Sequence, residues 1–141
     1  MTTTTATGAT ETVRLAVDRF LDAVAAGAGV PEALLADGVI LDATVPDWRF
    51  TVQGRPAVAR QYGRWFAAPA AFEELERLAV DGGEVVTYLL TWEEGGVPHA
   101  AHHCHRLRVD PHGRMAADRF FCGGRWDAAR LAEMAAAQQA G

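Results

Sequence analysis

The sequence predicts one α+β domain, in which helices of the first half pack on a curved antiparallel sheet formed by the second half. Apolar residues recur at helical spacing early in the chain, and after Pro69 the pattern changes to alternation with a period of two. Glycine-containing turns separate the alternating segments. A chain of 141 residues, half of them hydrophobic, is long enough to bury a core as a single domain.

Helices and strands are assigned from periodicity, caps and turn residues. The predicted helices are Val13 to about Gly27, Pro31–Ala36, the segment between Gly54 and Pro69, and Asp127–Ala137. The predicted strands are Val39–Val45, Trp48–Val52, Phe72–Val80, Glu84–Glu94, Val97–Val109 and Arg114–Cys122, followed by a loop over 123–126. The threonine-rich residues 1–10 are expected to be a disordered tail, so the domain spans 11–138.

Composition and charge exclude several classes of function. A net charge of -5 argues against nucleic-acid binding. The longest apolar runs are too short to span a bilayer, and the first residues lack the features of a signal peptide. Two cysteines fit a reduced compartment. We therefore expect a cytoplasmic protein with neither a nucleic-acid nor a membrane partner.

Four of the five histidines lie in one seven-residue stretch of a predicted strand. Because successive strand side chains point to opposite faces, His99, His103 and His105 share one face and His102 lies on the other. The first face is otherwise apolar. Imidazoles on a mostly buried face titrate near neutrality and can transfer protons.

Two turns predict which residues lie opposite one another across the sheet. A two-residue turn at Gly95–Gly96 places Tyr88 opposite His103, and a four-residue turn at 110–113 places Asp118 opposite His105. The same register separates Cys104 from Cys122, so no disulfide is expected. The face that the helices should cover is rich in aromatic residues and typical of a small-molecule site; it carries Val86, Tyr88, Leu90, Trp92, His99, Ala101, His103, His105, Leu107, Ala116, Asp118 and Phe120.

Three carboxylate or histidine groups are candidates for chemistry, each with a plainer alternative. A carboxylate beside an imidazole fixes its tautomer and raises its basicity, so His105 with Asp118 is either a general base or a structural polar pair in the core. Asp42 in an apolar strand would have a raised pKa and could act as acid or base, unless it lines the outer face. His103 and His105 could ligate a metal with His99 or Asp118, but familiar metal motifs are absent, so no metal or cofactor is expected.

The opposite face of the sheet, with Thr87, Leu89, Thr91, Cys104 and Arg106, is half apolar and has no predicted helix to cover it. An uncovered sheet face usually meets a partner, so a homodimer is expected.

Three segments carry a resemblance to a known family: Leu35-Ala-Asp-Gly-Val39, Gln53-Gly-Arg-Pro-Ala-Val58 and His112-Gly-Arg-Met115. With the order of elements from about residue 10 to 137, they resemble the nuclear transport factor 2-like superfamily, and within it the SnoaL-like group that includes polyketide cyclases. The resemblance implies a cone-shaped α+β fold with an internal pocket. Ketosteroid isomerases of this superfamily carry a base where this chain has Ala43 and a tyrosine where it has Phe20, so chemistry of their kind is not expected.

The resulting hypothesis is a cofactor-free acid/base enzyme, of cyclase, dehydratase or isomerase type, acting on a small hydrophobic polyketide-like substrate. The alternative is a non-catalytic module of the same fold for small-ligand binding or dimerisation. The candidate catalytic residues are Asp42, His103, His105 and Asp118. The candidate substrate-binding residues are Trp48, Tyr62, Tyr88, Trp92, His99 and Phe120.

Overall fold

The structure, a computed structural model, describes residues 2–140 and the side chains of residues 8–139. In chain order the elements are α1 (Thr2–Ala26), a short 3₁₀-helix (Glu32–Leu34), β1 (Leu35–Val45), β2 (Trp48–Gln53), α2 (Arg55–Trp65), β3 (Ala70–Val80), β4 (Gly83–Glu94), β5 (Val97–Val109), β6 (Met115–Asp127) and α3 (Ala128–Ala140). No helix within residues 2–140 combines the length and apolar character needed to cross a membrane.

The six strands form one sheet in the order β2-β1-β6-β5-β4-β3. Every neighbouring pair is antiparallel except β1 and β6, which run parallel. The parallel pair is possible because α2 and four strands separate β1 from β6 in the chain and provide the crossover that parallel pairing requires. The predicted α+β class is confirmed, with a mixed rather than purely antiparallel sheet.

One face of the sheet is covered by α1 and α2 and forms the core. Helical spacing puts Val17, Phe20 and Val24 of α1 on one stripe, and all three are fully buried. Val58 and Tyr62 of α2 are also fully buried and complete the cover. The core therefore lies between these two helices and the inner face of the sheet.

Two segments have more secondary structure than the sequence indicates, one at the start of the chain and one at the end of β6. Helix α1 includes residues 2–10, which were expected to be a disordered tail, while Met1 lies outside the described residues. No proline interrupts this segment, so the helix continues without losing a backbone hydrogen bond. The expected loop at 123–126 is wrong: β6 extends to Asp127 and pairs with β5 beyond a bulge, with Ala101 opposite Arg125. Gly124 has a φ of 127°, a backbone conformation that favours glycine, and it lies in this bulged segment.

The two predicted hairpin registers have different outcomes. Between β4 and β5 the register is confirmed, including Tyr88 opposite His103. Between β5 and β6 it is wrong by two residues, and His105 lies opposite Phe120 instead of Asp118. Asp110 pairs with Arg114 around a three-residue loop, which shifts the register by one, and a bulge at the start of β6 shifts it by one more. Because the total shift is even, Asp118 and Phe120 keep their predicted face. Met115, which precedes the bulge, instead lies opposite Val109 and is buried in the core.

Candidate active site

Three buried polar residues lie together on the inner face of the sheet. His105 of β5 and Asp118 of β6 have no solvent exposure, and His103 of β5 is 7% exposed. Buried polar groups of this kind are stable only when they are hydrogen-bonded, so their partners determine what the cluster can do.

His105 and Asp118 form the predicted pair, although they are diagonal neighbours and not opposite residues. Nδ1 of His105 lies 3.0 and 3.1 Å from the two carboxylate oxygens of Asp118. Tyr62 reaches the same carboxylate from α2, and its hydroxyl donates to Oδ2 over 2.6 Å. The sequence analysis expected Tyr62 to be a pocket wall, whereas the structure makes it a hydrogen-bond donor to Asp118.

Tyr88 of β4 joins the two histidines. Its hydroxyl oxygen lies 2.7 Å from Nε2 of His105 and 3.1 Å from Nδ1 of His103. The side chains of His103, Tyr88, His105, Asp118 and Tyr62 are therefore linked by one continuous chain of hydrogen bonds. It crosses the inner face of the sheet from β5 to α2.

When His105 is neutral, the Asp118 carboxylate sets the direction of this chain of hydrogen bonds. With Asp118 ionised, the Nδ1–H of His105 donates to it, and Nε2 of a neutral His105 accepts from the Tyr88 hydroxyl. The oxygen of Tyr88 then accepts from the Nδ1–H of His103. The remaining nitrogen of His103, Nε2, carries a lone pair, and it makes no hydrogen bond within residues 8–139.

Burial and the charge of Asp118 keep the chain in this state. Burial first, and then the negative charge of Asp118, raises the pKa of Tyr62 and of Tyr88 well above the usual 10.0, so both phenols hold their protons. Burial is the largest cause of a pKa of His103 that is lowered from 6.5 to about 3, and repulsion from Arg125, and from His105 and His102 when they are protonated, adds to it. His103 is therefore neutral at physiological pH.

A cavity of about 420 Å³ opens beside His103. This volume lies within the range of small-molecule sites. Apolar and aromatic side chains form most of its wall, including Trp65, Leu90, Trp92 and Phe120. Among the described residues that line the cavity, His103 is the one member of the hydrogen-bonded chain, so it is where the chain can meet a ligand.

Two candidate catalytic residues do not have the positions that the sequence indicated. His105 is fully buried and both its ring nitrogens are occupied, so it does not contact the cavity, although it was the expected base. Asp42 lies on the outer face, where its carboxylate forms an ion pair of 2.8 Å with Arg49. The hydrogen bond from Arg49 lowers the pKa of Asp42, so the expected raised pKa is wrong. The alternation of β1 explains this position, because Leu41 and Ala43 face the core.

Two of the expected substrate-binding residues also lie elsewhere. Trp48 is 69% exposed where β2 begins and is not a cavity wall. His99 lies outside the cavity, where its ring stacks on Trp92 at 5.8 Å and Nδ1 contacts the carbonyl of Val97. The expected cavity walls Trp92 and Phe120 do line it, whereas Tyr88 lies behind His103.

The sequence analysis missed several cavity residues, of which two on β6 carry polar groups. Cys122 lies opposite His103 and lines the cavity, and Arg125 lines it near the end of β6. Both omissions have the same cause: the predicted strand β6 ended at Cys122, and its predicted register was wrong by two residues. The exposure of residues 121–127 alternates in the fold, but the two adjacent glycines, Gly123 and Gly124, leave no clear strand pattern in the sequence.

Comparison with known proteins identifies the fold. No protein-family model and no curated protein matches the sequence. Solved structures do match. An LEH-like epoxide hydrolase of M. tuberculosis has a TM-score of 0.60 and 20% identity, over 80% of this chain and 83% of that one. An NTF-2-like protein of unknown function from Burkholderia xenovorans has a TM-score of 0.59 and 20% identity, over 84% and 88%.

A steroid delta-isomerase from Pseudomonas aeruginosa is also similar, with a TM-score of 0.54 and 15% identity over 92% of this chain and 96% of that one. A protein from Silicibacter pomeroyi with a cystatin-like fold matches at a TM-score of 0.52. The chain therefore has the nuclear transport factor 2-like fold, as its sequence indicated. At these identities the likeness is one of fold, and membership of the SnoaL-like group stays a prediction.

Proposed function

We propose that the protein is a cofactor-free acid/base enzyme, of the cyclase, dehydratase or isomerase type, that acts on a small hydrophobic, polyketide-like molecule. The observation that carries the proposal is the hydrogen-bonded chain from His103 at the cavity to Asp118 in the core. The apolar wall of the cavity favours a hydrophobic substrate. Similarity to a steroid delta-isomerase and an epoxide hydrolase supports a fold that can house small-molecule chemistry.

The chain of hydrogen bonds supplies a route for one proton. Nε2 of His103 takes a proton from a C–H or O–H group of the substrate, and the Nδ1 proton of His103 passes to the oxygen of Tyr88. The original hydroxyl proton of Tyr88 passes to Nε2 of His105. The substrate becomes an anion and His105 becomes an imidazolium beside Asp118, so one negative and one positive charge are created together.

The reverse transfer completes the reaction. When the proton returns from His103 to a different atom of the substrate, the result is an isomerisation. When it goes to a departing hydroxyl group, the result is a dehydration. Two histidines take part because Asp118 is fully buried and His103 lines the cavity. A proton from the substrate therefore reaches the buried pair of His105 and Asp118 through His103.

The chain also differs from the isomerase arrangement that the resemblance implied. Phe20 of α1 is fully buried and packs edge-on to His105 at 5.2 Å and to Tyr62 at 5.5 Å. It has no hydroxyl with which to stabilise a substrate anion. In this proposal the positive charge that balances the substrate anion forms on His105, which does not contact the cavity.

A generic proton-abstraction probe tests the proposal without knowledge of the substrate. The ring of 5-nitrobenzisoxazole opens to a coloured cyanophenolate when a base removes its C–H proton. We expect saturable turnover by the wild-type protein and a loss of about a hundredfold or more in His103→Ala, the typical cost of losing a general base. The matched control is His102→Ala, because His102 is exposed on the other face of the same strand. Equal turnover by His103→Ala and the wild type would refute the proposal.

The same probe tests whether the buried pair acts as a unit with His103. His105→Ala and Asp118→Asn should each lower turnover by about a hundredfold, and the double variant should cost little more. Losses that multiply independently would mean that the two residues do not share the proton route.

A non-catalytic ligand-binding module is the second candidate, and one observation favours it. The pKa of His103 is lowered to about 3, which makes its ring a weak proton acceptor unless the proton moves on to His105. A binding module would hold an apolar ligand in the cavity and would show no turnover of the probe. Its affinity for the ligand would not change on substitution of His105. The probe assay therefore separates the two candidates.

A further inference from the structure

A second space, called here the second lobe, adjoins the cavity beside His103. A space of about 340 Å³ shares Trp65, Leu90, Trp92 and Arg125 with the first, so the two lobes share one wall. The second lobe differs in its charged groups, because Arg64, Glu94 and Arg125 all line it. A ligand that fills both lobes would therefore have one apolar part and one part that meets charge.

The single carboxylate of the second lobe is already satisfied. Glu94 accepts a hydrogen bond of 2.9 Å from the indole of Trp92 and a contact from Arg125, and Nε2 of His99 lies 3.8 Å from it. The Trp92 hydrogen bond is the largest cause, and Arg125 a further one, of a lowered pKa for Glu94. Glu94 is therefore ionised and balances one of the two guanidinium groups.

The second guanidinium group has no such balance. The Arg64 side chain forms no hydrogen bond or ion pair within residues 8–139. Arg125 is held in place by Glu94 and by Trp92, since its guanidinium carbon lies 4.9 Å from the centre of the indole ring. Two cations and one anion leave the lobe with one unmatched positive charge.

We propose that the substrate carries one carboxylate, which Arg64 and Arg125 bind in the second lobe while its apolar part lies against His103 in the first. A guanidinium group offers paired N–H donors that match the two oxygens of a carboxylate. One unmatched charge fits a monoanion better than a phosphate monoester, which carries more charge. That the bound acid is a substrate rests on the proposed function. The binding of a carboxylic acid by the two arginines does not, because binding needs no catalysis.

Two probes of nearly the same shape test it. We would measure the binding of 2-naphthoate and of 2-naphthamide by calorimetry at pH 8 and low salt, where His103 is neutral. We expect naphthoate to bind at least tenfold more tightly than naphthamide. In Arg64→Gln with Arg125→Gln this preference should disappear, so that the ratio of the two affinities falls to about one. Arg106→Gln is the matched control, because Arg106 is exposed on the outer face of β5.

The outcomes distinguish this inference from the proposed function. Equal binding of the two probes, binding of neither, or a preference for naphthoate that survives the double substitution would each overturn it. A preference that requires both arginines, in a protein that does not turn over 5-nitrobenzisoxazole, would support the carboxylate site and refute the enzyme. Thermal unfolding of the double variant would verify that it is folded, as expected for a pair in which Arg64 is exposed and the Arg125 side chain is 48% exposed.

Discussion

The pH dependence of stability provides a test of the buried chain that needs no substrate. The pKa of His103 falls from 6.5 in the unfolded chain to about 3 in the fold. Between these values the unfolded chain binds a proton and the folded protein does not, so the free energy of unfolding decreases as the pH is lowered. Relative to pH 8, the contribution of His103 alone is a loss of about 2 kcal/mol at pH 5, on the way to a limit of about 5 kcal/mol below pH 3.

The substitution His103→Gln removes this titrating group while keeping a polar side chain of similar size. We would measure urea unfolding of the wild type and the variant at pH 8 and pH 5 by tryptophan fluorescence. Between these pH values the wild type should lose about 2 kcal/mol more than the variant. His102→Gln is the control and should behave as the wild type. An identical pH dependence in wild type and His103→Gln would refute the reasoning, because His103 would then titrate alike in the folded and unfolded states.

Four further predictions follow from the same geometry. Tyr88→Phe leaves one nitrogen of each histidine without its partner, so urea unfolding should show a loss of about 1–3 kcal/mol for each nitrogen that stays unsatisfied, and turnover of the probe should fall as in the His105 variants. Asp42→Asn breaks an outer ion pair with Arg49, so it should change stability by no more than about 1 kcal/mol and leave probe turnover intact. Light scattering should give twice the monomer mass, because the outer face of β4 and β5 is the expected dimer surface; a monomer at micromolar concentration would contradict this. Elemental analysis should find no stoichiometric metal, because both ring nitrogens of His105 are occupied; one equivalent of metal whose removal abolishes turnover would contradict it.

The sheet face could be predicted from the sequence because alternation and turn position determine it. The Gly95–Gly96 turn fixed the β4–β5 register, and Tyr88 lies opposite His103 as expected. The β5–β6 register depends on how many residues the loop uses. Gly113 has a φ of 80° and closes a loop of three residues rather than four, and the bulge that follows has no clear sequence signal. The pairing of His105 with Asp118 survived because both shifts together preserve the face.

Asp42 illustrates a second limit, which concerns strands with apolar residues on both faces. Val39, Ile40 and Leu41 are consecutive and apolar, so the pattern does not identify the buried face. In the fold Val39 and Leu41 are fully buried, whereas Ile40 is 41% exposed and shares the outer face with Asp42. Arg49 of β2 then lies within reach of its carboxylate, a contact that depends on the pairing of two strands.

The division of roles between the two histidines could not be predicted from the strand alone. His103 and His105 share one face, and only packing decides which of them meets the cavity. Phe20 of α1 and Phe120 of β6 cover His105, with ring centres 5.2 and 4.7 Å from it. His103 lies two residues nearer the cavity, where Trp92 and Phe120 form part of the wall. The position of a helix across the sheet therefore determines which imidazole can act on a ligand.

The most direct test of the central claim is the position of the protons on the two rings. We would record the ¹⁵N NMR signals of the imidazole nitrogens at pH 7, assigned with the His103→Gln variant. The hydrogen-bonded chain predicts that His103 is neutral, with a proton on Nδ1 and none on Nε2, and that Nδ1 of His105 carries a proton directed at Asp118. A proton on Nε2 of His103, with its Nδ1 unprotonated, would mean that the chain runs in the opposite direction and that no base faces the cavity.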